Sequence, residues 1–547
     1  MKKSVIIVVL CELLAVSLRA QEGDVIRAAL YLSGASTEEE LDATLVDRLE
    51  NLRGRPIKVN KPSKRARELL SAYQIASLED YRRNHGDILS CEELALVDGF
   101  NREAVVALRP FLSLDSEALP GSVDTLSRQK RLLLVRVTEK NWGAKYKSSG
   151  DRYQAGAAWR GKDGTFHADI QLGHHRFLLG DYNARFGQGA AHWSGFAMES
   201  LSTPDAFIRR STGLRPAWSF SHESLHRGGA WEYARGAFQG ALFADAAGTL
   251  GFHAEGLWRS FQGGFTSLLE KDGPCFSLDG RWNWKGMDLA GELAWRNRSL
   301  GGKLASSWKP SDAVRLALQT RILPSHFSGK KNGEYALALG ASFATDKRVT
   351  LSGKTGFGSS VQVFSASLTA DAALLPKPVD GEPGRFQLRS YLQARWQVGS
   401  RWALAFRFTE RYRNYEPARS DVRLDLLFGH GPWSATGRSE FVYCRQPGFL
   451  AYLEGGYKAE SLSGYLRLTG FLINHWDARI YCYERDAPGS FSVPAYNGQG
   501  LAASLVGNWK HRFPRWFTLK LYLRAACTFR IGQSAAPALH LQLQVER

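Results

Sequence analysis

The chain has 547 residues, of which 44% are hydrophobic and 12% aromatic, with 16 Trp, 19 Tyr and 54 Gly. That mixture excludes a disordered chain and suits many strands and tight turns better than a helical bundle. The formal charge is +18, yet residues 22–112 hold thirteen basic and sixteen acidic groups, so the positive excess belongs to the C-terminal three-quarters.

Lys2 and Lys3 form a charged start, and Val5 to Leu18 form an apolar run interrupted only by Glu12. Ala20 then offers a small residue before Gln21, so residues 1–20 are predicted to be a cleaved secretory signal peptide. The run falls short of the roughly 20 apolar residues a spanning helix needs. Cys11 follows Val8-Val9-Leu10 and lacks the small residue of a lipoprotein signal. Beyond the signal stand Cys91, Cys275, Cys444, Cys482 and Cys527, odd in number and without zinc-ligand spacing. Neither a disulfide framework, a metal site nor a cofactor is expected.

Residues 21–56 read as a helical extension. Ser36-x-x-Glu39 and Thr37-x-x-Glu40 have capping-box spacing, and Leu41, Leu45, Leu49 and Leu52 follow before Gly54 and Pro56. Residues 57–112 read as a small all-α domain. Pro62 opens one helix with Leu69, Leu70 and Tyr73 buried. Ser77-x-x-Asp80 opens another that stops at Gly86, and Ser90-x-x-Glu93 opens a third, closed by Gly99. Asn101 is suited to cap a helix from Arg102 to Leu108, stopped by Pro110.

The run Val59-Asn60, Glu68-Leu69, Tyr81-Arg82-Arg83, His85-Gly86, Glu93-Leu94, Val97 to Asn101 and Leu108-Arg109-Pro110 resembles the tandem helix-hairpin-helix domain of ComEA-type competence proteins. The resemblance implies backbone N–H groups offered to nucleic-acid phosphates by glycine-rich hairpins. It points to Gly99, Phe100, Asn101 and Arg102, with Lys58, Lys61, Lys64 and Arg65 as the adjoining basic cluster. Asn101 stands where the family has a second glycine, and the first hairpin, Leu70 to Ile75, has none.

Residues 113–129 read as a linker. From Lys130 to the end the period becomes two. Leu392, Ala394, Trp396 and Val398 alternate with Gln393, Arg395 and Gln397, and after Gly399-Ser400 the chain returns through Trp402, Leu404, Phe406 and Phe408. Val422 to Phe428, Phe517 to Leu523 and Leu539 to Val545 repeat the pattern. Large polar faces, no helical break and aromatics near strand ends predict a transmembrane antiparallel β-barrel of roughly 18–24 strands over 130–547. The fold class expected is therefore mainly β, with the helix-hairpin-helix domain ahead of the barrel.

Gly180 to Gly229 breaks the alternation. It carries Gly180-Asp181-Tyr182, Phe186-Gly187-Gln188-Gly189, Trp193-Ser194-Gly195-Phe196 and Arg227-Gly228-Gly229. With Tyr483-Glu484-Arg485-Asp486, these motifs resemble a Bacteroidetes-type group of outer-membrane proteins that join a helix-hairpin-helix domain to a barrel. The segment is expected to form a plug in the lumen or a long external loop.

His192 and Ser194, and His222, Glu223, Ser224 and His226, contain the residue types of a hydrolytic triad. Residues two apart share a strand face by default, no nucleotide or metalloprotease motif is present, and no enzyme is expected. The leading expectation is a non-enzymatic outer-membrane barrel whose periplasmic domain binds DNA. The alternatives are a porin-like, anion-favouring channel or transporter, and an envelope scaffold. Expected partners are outer-membrane lipid and lipopolysaccharide, DNA, and periplasmic or envelope proteins.

Overall fold

The computed structural model describes residues 20–33, isolated positions from 41 to 52, most of 56–60 and 66–115, and 129–547 apart from short stretches, the longest being 348–360 and 376–384. The signal-peptide core, the Ser36 and Thr37 capping boxes and Lys61, Lys64, Arg65 and Asn101 lie outside the described residues.

The N-terminal unit is helical. Its helices span Ala20–Ser33, Ala72–His85, Cys91–Leu94 and Arg102–Leu108. Ser77, expected to open a helix of its own, lies inside the Ala72–His85 helix, which also holds Tyr73. That helix ends at Gly86, whose φ of +89° turns the chain away. Ser90 caps the next helix by accepting a hydrogen bond from the Glu93 N–H, and the Glu93 carboxylate accepts one from the Leu89 N–H. A short parallel pair, Ile57–Lys58 with Leu112–Ser113, ties the two ends of this unit together. Leu49, Leu52, Leu70, Leu78, Ile88, Leu94, Leu108 and Phe111 form one core.

The rest is a closed antiparallel barrel of 24 strands. It begins at Lys130, and the first strand (Lys130–Thr138) pairs with the last (Ala536–Glu546), with Val137 opposite Leu541 and Leu133 opposite Val545. Closure leaves no edge strand, which a lipid environment requires. The Arg385–Val398 and Trp402–Arg413 hairpin has the expected register, with Val398 opposite Trp402 and Leu392 opposite Phe408.

The two faces are inverted relative to a water-soluble barrel. On the strand Leu462–Ile473, Leu466 and Leu468 are 52% and 59% exposed while Arg467 between them is 5% exposed. The outward face is an apolar band of Leu, Phe and Trp, and the inward face carries Arg136, Lys145, Arg176, Glu232, Glu292, Arg321 and Arg524, all buried. Such a band is what hydrocarbon selects, and the polar interior is what a lumen permits. Among the described residues no helix is long and apolar enough to cross a membrane.

Two connections between strands fold inward. Both leave from the barrel end opposite the chain termini, as strand alternation dictates. The first follows the strand His175–Arg185. It returns to the wall briefly as Gly213–Pro216, leaves again, and re-joins as His226–Arg235. The second joins Leu462–Ile473 to Gly498–Phe513 and includes the motif Tyr483 to Asp486.

Candidate functional site

The site is the lumen, and its geometry starts at Gly180, where the pairing of His175–Arg185 with the strand Asp163–Leu172 ends. Gly180 has φ of +96°, and a methyl group there would collide with the Phe166 carbonyl oxygen. Asp181 follows, fully buried, and accepts a hydrogen bond from the Phe166 N–H, which lies just past the end of that pairing. Arg227, directly opposite on the next strand, donates to both Asp181 oxygens at 2.8 and 3.1 Å and to the Gly164 carbonyl. A side chain on Gly228 would strike the Ala244 carbonyl oxygen. The four motif residues Gly180, Asp181, Arg227 and Gly228 thus form one node of the wall, where the chain stops behaving as a plain strand. Tyr182 turns inward beside it and donates to the Ala244 carbonyl at 2.8 Å.

Beyond this node the motif Phe186 to Trp193 lies on the inner wall. The backbone N–H groups of Gln188 and Ala190 donate to one oxygen of Glu292, at 2.7 and 2.8 Å. The Ala191 N–H donates to the other at 2.9 Å. Gly187 has φ of +55° and sits so close that a side chain would meet the Glu292 carboxylate. A buried carboxylate is costly unless its lone pairs are filled, and here the folded segment fills them. Gln188 and Arg209 exchange a reciprocal pair of hydrogen bonds across the segment. A side chain on Gly189 would press on Arg209 and Trp193. Phe186 stacks on His253 at 4.1 Å, and the Arg209 guanidinium lies 4.9 Å from the Trp193 ring centre. Further on, Phe207 packs against the inner-wall residues Ala317 and Ala338. The carbonyls of Ala217, Trp218 and Ser219 accept hydrogen bonds from His167, Lys145 and Thr165.

Glu292 therefore carries the attachment of the 186–191 segment. Replacing it by Ala leaves three N–H groups without acceptors and is expected to destabilise the segment by about 2–4 kcal/mol. Proteolysis of 186–212 in folded, detergent-solubilised protein should then become at least tenfold faster than in the native chain.

The second segment crosses the opposite wall and the closing seam. Arg419 donates to the Asp477 and Arg479 carbonyls, both at 3.0 Å. Arg467 donates to the Tyr483 carbonyl, Arg485 reaches Glu454 at 2.8 Å, and Glu484 accepts from Arg524 and Tyr496. Asp486 accepts from His540 Nδ1 at 2.8 Å. Burial pushes the Asp486 carboxyl up, but the hydrogen bond and charge of His540 outweigh it and hold the group below its ordinary value. Arg136 donates to the Pro488 and Gly489 carbonyls. Thus the wall's guanidinium groups receive the carbonyls and carboxylates of this segment.

The helical unit meets the same inner surface. Leu30 lines a cavity of about 590 Å³ together with Arg315, Arg395, Arg407, Glu454 and Arg485. Leu70 lines a second cavity with Arg176, Phe186, Gln188 and Arg209. Of the residues expected to meet DNA, Gly99 has the left-handed φ of +80°, but its carbonyl accepts from the Gln74 side chain. Phe100 is buried, Lys58 is half-buried in the short parallel pair, and Arg102 begins a helix. None of these contacts supports the nucleic-acid reading.

The Ser194 hydroxyl bonds the Ala184 backbone, and His192 meets His226 instead, Nε2 to Nε2 at 2.8 Å. His226 donates to Asp245 at 2.5 Å, and His192 faces Glu270 at 3.6 Å. His222 and Glu223 lie outside the described residues. The five described cysteines are free, and the described residues contain no group able to hold a metal ion.

What sequence reasoning missed is the charge pattern across strands. Arg389, Arg395, Arg407, Arg411, Arg413, Arg419 and Arg423 face inward on three adjacent strands from Arg385 to His430, against Glu416, Asp421 and Asp425. Period-two reading placed each on a polar face, but only the register shows which of them stand side by side.

No family model matches the chain, and no curated protein matches it. Solved structures do. The P pilus usher PapC translocation pore is 9% identical, with 77% of this chain and 99% of that one covered and a TM-score of 0.37. OprD of Pseudomonas aeruginosa is 8% identical over 77% and 94%, with a TM-score of 0.31. P. aeruginosa FpvA bound to heterologous pyoverdines is 10% identical over 77% and 72%, with a TM-score of 0.39.

Proposed function

We propose that this chain is an outer-membrane channel or transporter that favours anions, its lumen narrowed by the two in-folded segments and the helical unit. The observation that carries this reading is the inner wall between Arg385 and His430, where seven arginines face three carboxylates. A lumen lined with excess guanidinium raises the local concentration of anions and repels cations. The apolar outer band gives the barrel its lipid partner, and the 24-strand circumference leaves room for a solute path even when partly filled.

The test is a planar bilayer separating two KCl concentrations. The reversal potential is expected to lie toward the chloride equilibrium potential, and to move toward zero as salt rises and screens the wall. A potential on the potassium side, or none in a conducting barrel, overturns the anion preference. An enzymatic reading and a DNA-binding reading have no observation in their favour comparable to this wall.

A further inference from the structure

We propose that Arg389, Arg411 and Arg419, with Arg413 beside them, form a binding site for a soluble, multiply charged oxyanion of the oligophosphate type. The proposal rests on reading the lumen as a solute path and names the solute class this wall would hold.

The argument begins with register. Arg389 stands directly opposite Arg411, and Arg411 directly opposite Arg419, on three neighbouring strands. Like charges in direct opposition destabilise a sheet, so such a row persists at a cost unless something neutralises it. The nearby carboxylates do so only in part: two of them serve the four guanidinium groups. Asp421 is engaged by Arg419 through both oxygens, at 2.8 to 3.1 Å. Glu416 bonds Arg413 at 2.6 Å and is 3.9 Å from Arg411. Glu410 faces the other side of the wall, paired with Ser420. Among the described residues Arg389 has one polar partner, Gln387 Oε1, at 3.5 Å.

The second observation is independent of charge counting. The Nε–H groups of Arg389, Arg411 and Arg413 are buried and have no acceptor among the described residues. A buried donor without an acceptor is expensive, and the guanidinium fork is shaped for the paired oxygens of phosphate. Arg419 is already fixed by Asp421 and by two carbonyls of the second in-folded segment, so one edge of the site is rigid.

Size selects the ligand. Adjacent strands lie about 4.8 Å apart, so the row from Arg389 to Arg419 spans roughly 10 Å. One carboxylate or one orthophosphate engages part of that row, whereas a chain of two or three phosphates reaches all of it. The row is on the lumenal face of the strands, so the anion it meets comes from solution.

The experiment uses the full chain in detergent and inorganic tripolyphosphate as the probe, with binding measured by calorimetry at low and moderate salt. The native protein is expected to bind tripolyphosphate more tightly than orthophosphate, with affinity falling as salt rises. The Arg389→Gln/Arg411→Gln variant is expected to bind about tenfold or more weakly. Its ligand-free thermal midpoint should equal or exceed the native value, because repulsion has been removed. Arg298→Gln, at a two-residue turn, is expected to bind as the native chain does.

Unchanged affinity in the double variant overturns the site. Should that variant fail to fold, Arg411→Lys keeps the charge without the fork, and its unchanged affinity overturns the site equally. Tripolyphosphate binding by a barrel that conducts no ions defeats the channel reading and leaves the site standing. Anion-favouring conductance without tripolyphosphate binding defeats the site alone.

Discussion

Deleting residues 21–128, with the signal segment joined directly to the barrel, is expected to raise single-channel conductance on the order of threefold or more. The barrel does not need the deleted part to close. Its first strand begins at Lys130 and its seam is made by backbone pairing between Leu132–Thr138 and His540–Glu546. The helical unit has its own core, built on Leu49, Leu52, Leu78, Leu94 and Phe111. It nevertheless reaches the inner wall, since Leu30 lines one lumenal cavity and Leu70 the other. Removing it therefore clears cross-section without removing a stave. Heat-modifiable gel mobility checks that the shortened barrel folds, and bilayer recording reads the conductance. A folded barrel with native conductance would mean that the helical unit leaves the solute path open.

The second large effect is on folding. Gly180→Ala is expected to destabilise the barrel by about 3 kcal/mol or more. A left-handed backbone costs an L side chain on the order of 1–2 kcal/mol, and the added methyl collides with the Phe166 carbonyl oxygen. Relief requires the backbone at Gly180 to shift. That shift moves Asp181 away from the Phe166 N–H and from its pair with Arg227. The loss therefore spreads from one residue to the ladder that starts the first in-folded segment. Asp181→Asn keeps the shape and leaves the Gly180 backbone in place, so it should cost less than the glycine change. Urea midpoints of the refolded variants in detergent rank the two, and a Gly180→Ala midpoint equal to the native one contradicts the account.

Much of this fold was legible in the residues. Period-two alternation, large polar faces and the absence of a spanning helix are local properties, and they suffice to predict a barrel beginning near Lys130. The start and stop signals at Gly86, Ser90 and Gly99 are local as well. Gly86 and Ser90 act as expected through a backbone angle and a cap, whereas the helix that Ser90 opens already ends at Leu94, ahead of Gly99. The motifs at 180–189 and 483–486 were visible as interruptions, because Gly and paired charges do not continue an alternating strand.

Their roles were not legible, for a physical reason. Glu292 is one acidic residue on a polar face until the N–H groups of Gln188, Ala190 and Ala191 close on it from a hundred residues away. Arg389, Arg411 and Arg419 are separate polar-face residues until turn lengths and a bulge near Arg413 set the register that aligns them. The amino-acid sequence by itself determined the elements, the two faces of each strand and the uneven distribution of charge. Only the tertiary structure decided which charges meet, which connections turn inward and where the helical unit rests, because those outcomes depend on strand register, on closure of the ring between its first and last strands, and on contacts across the lumen between segments far apart in the chain.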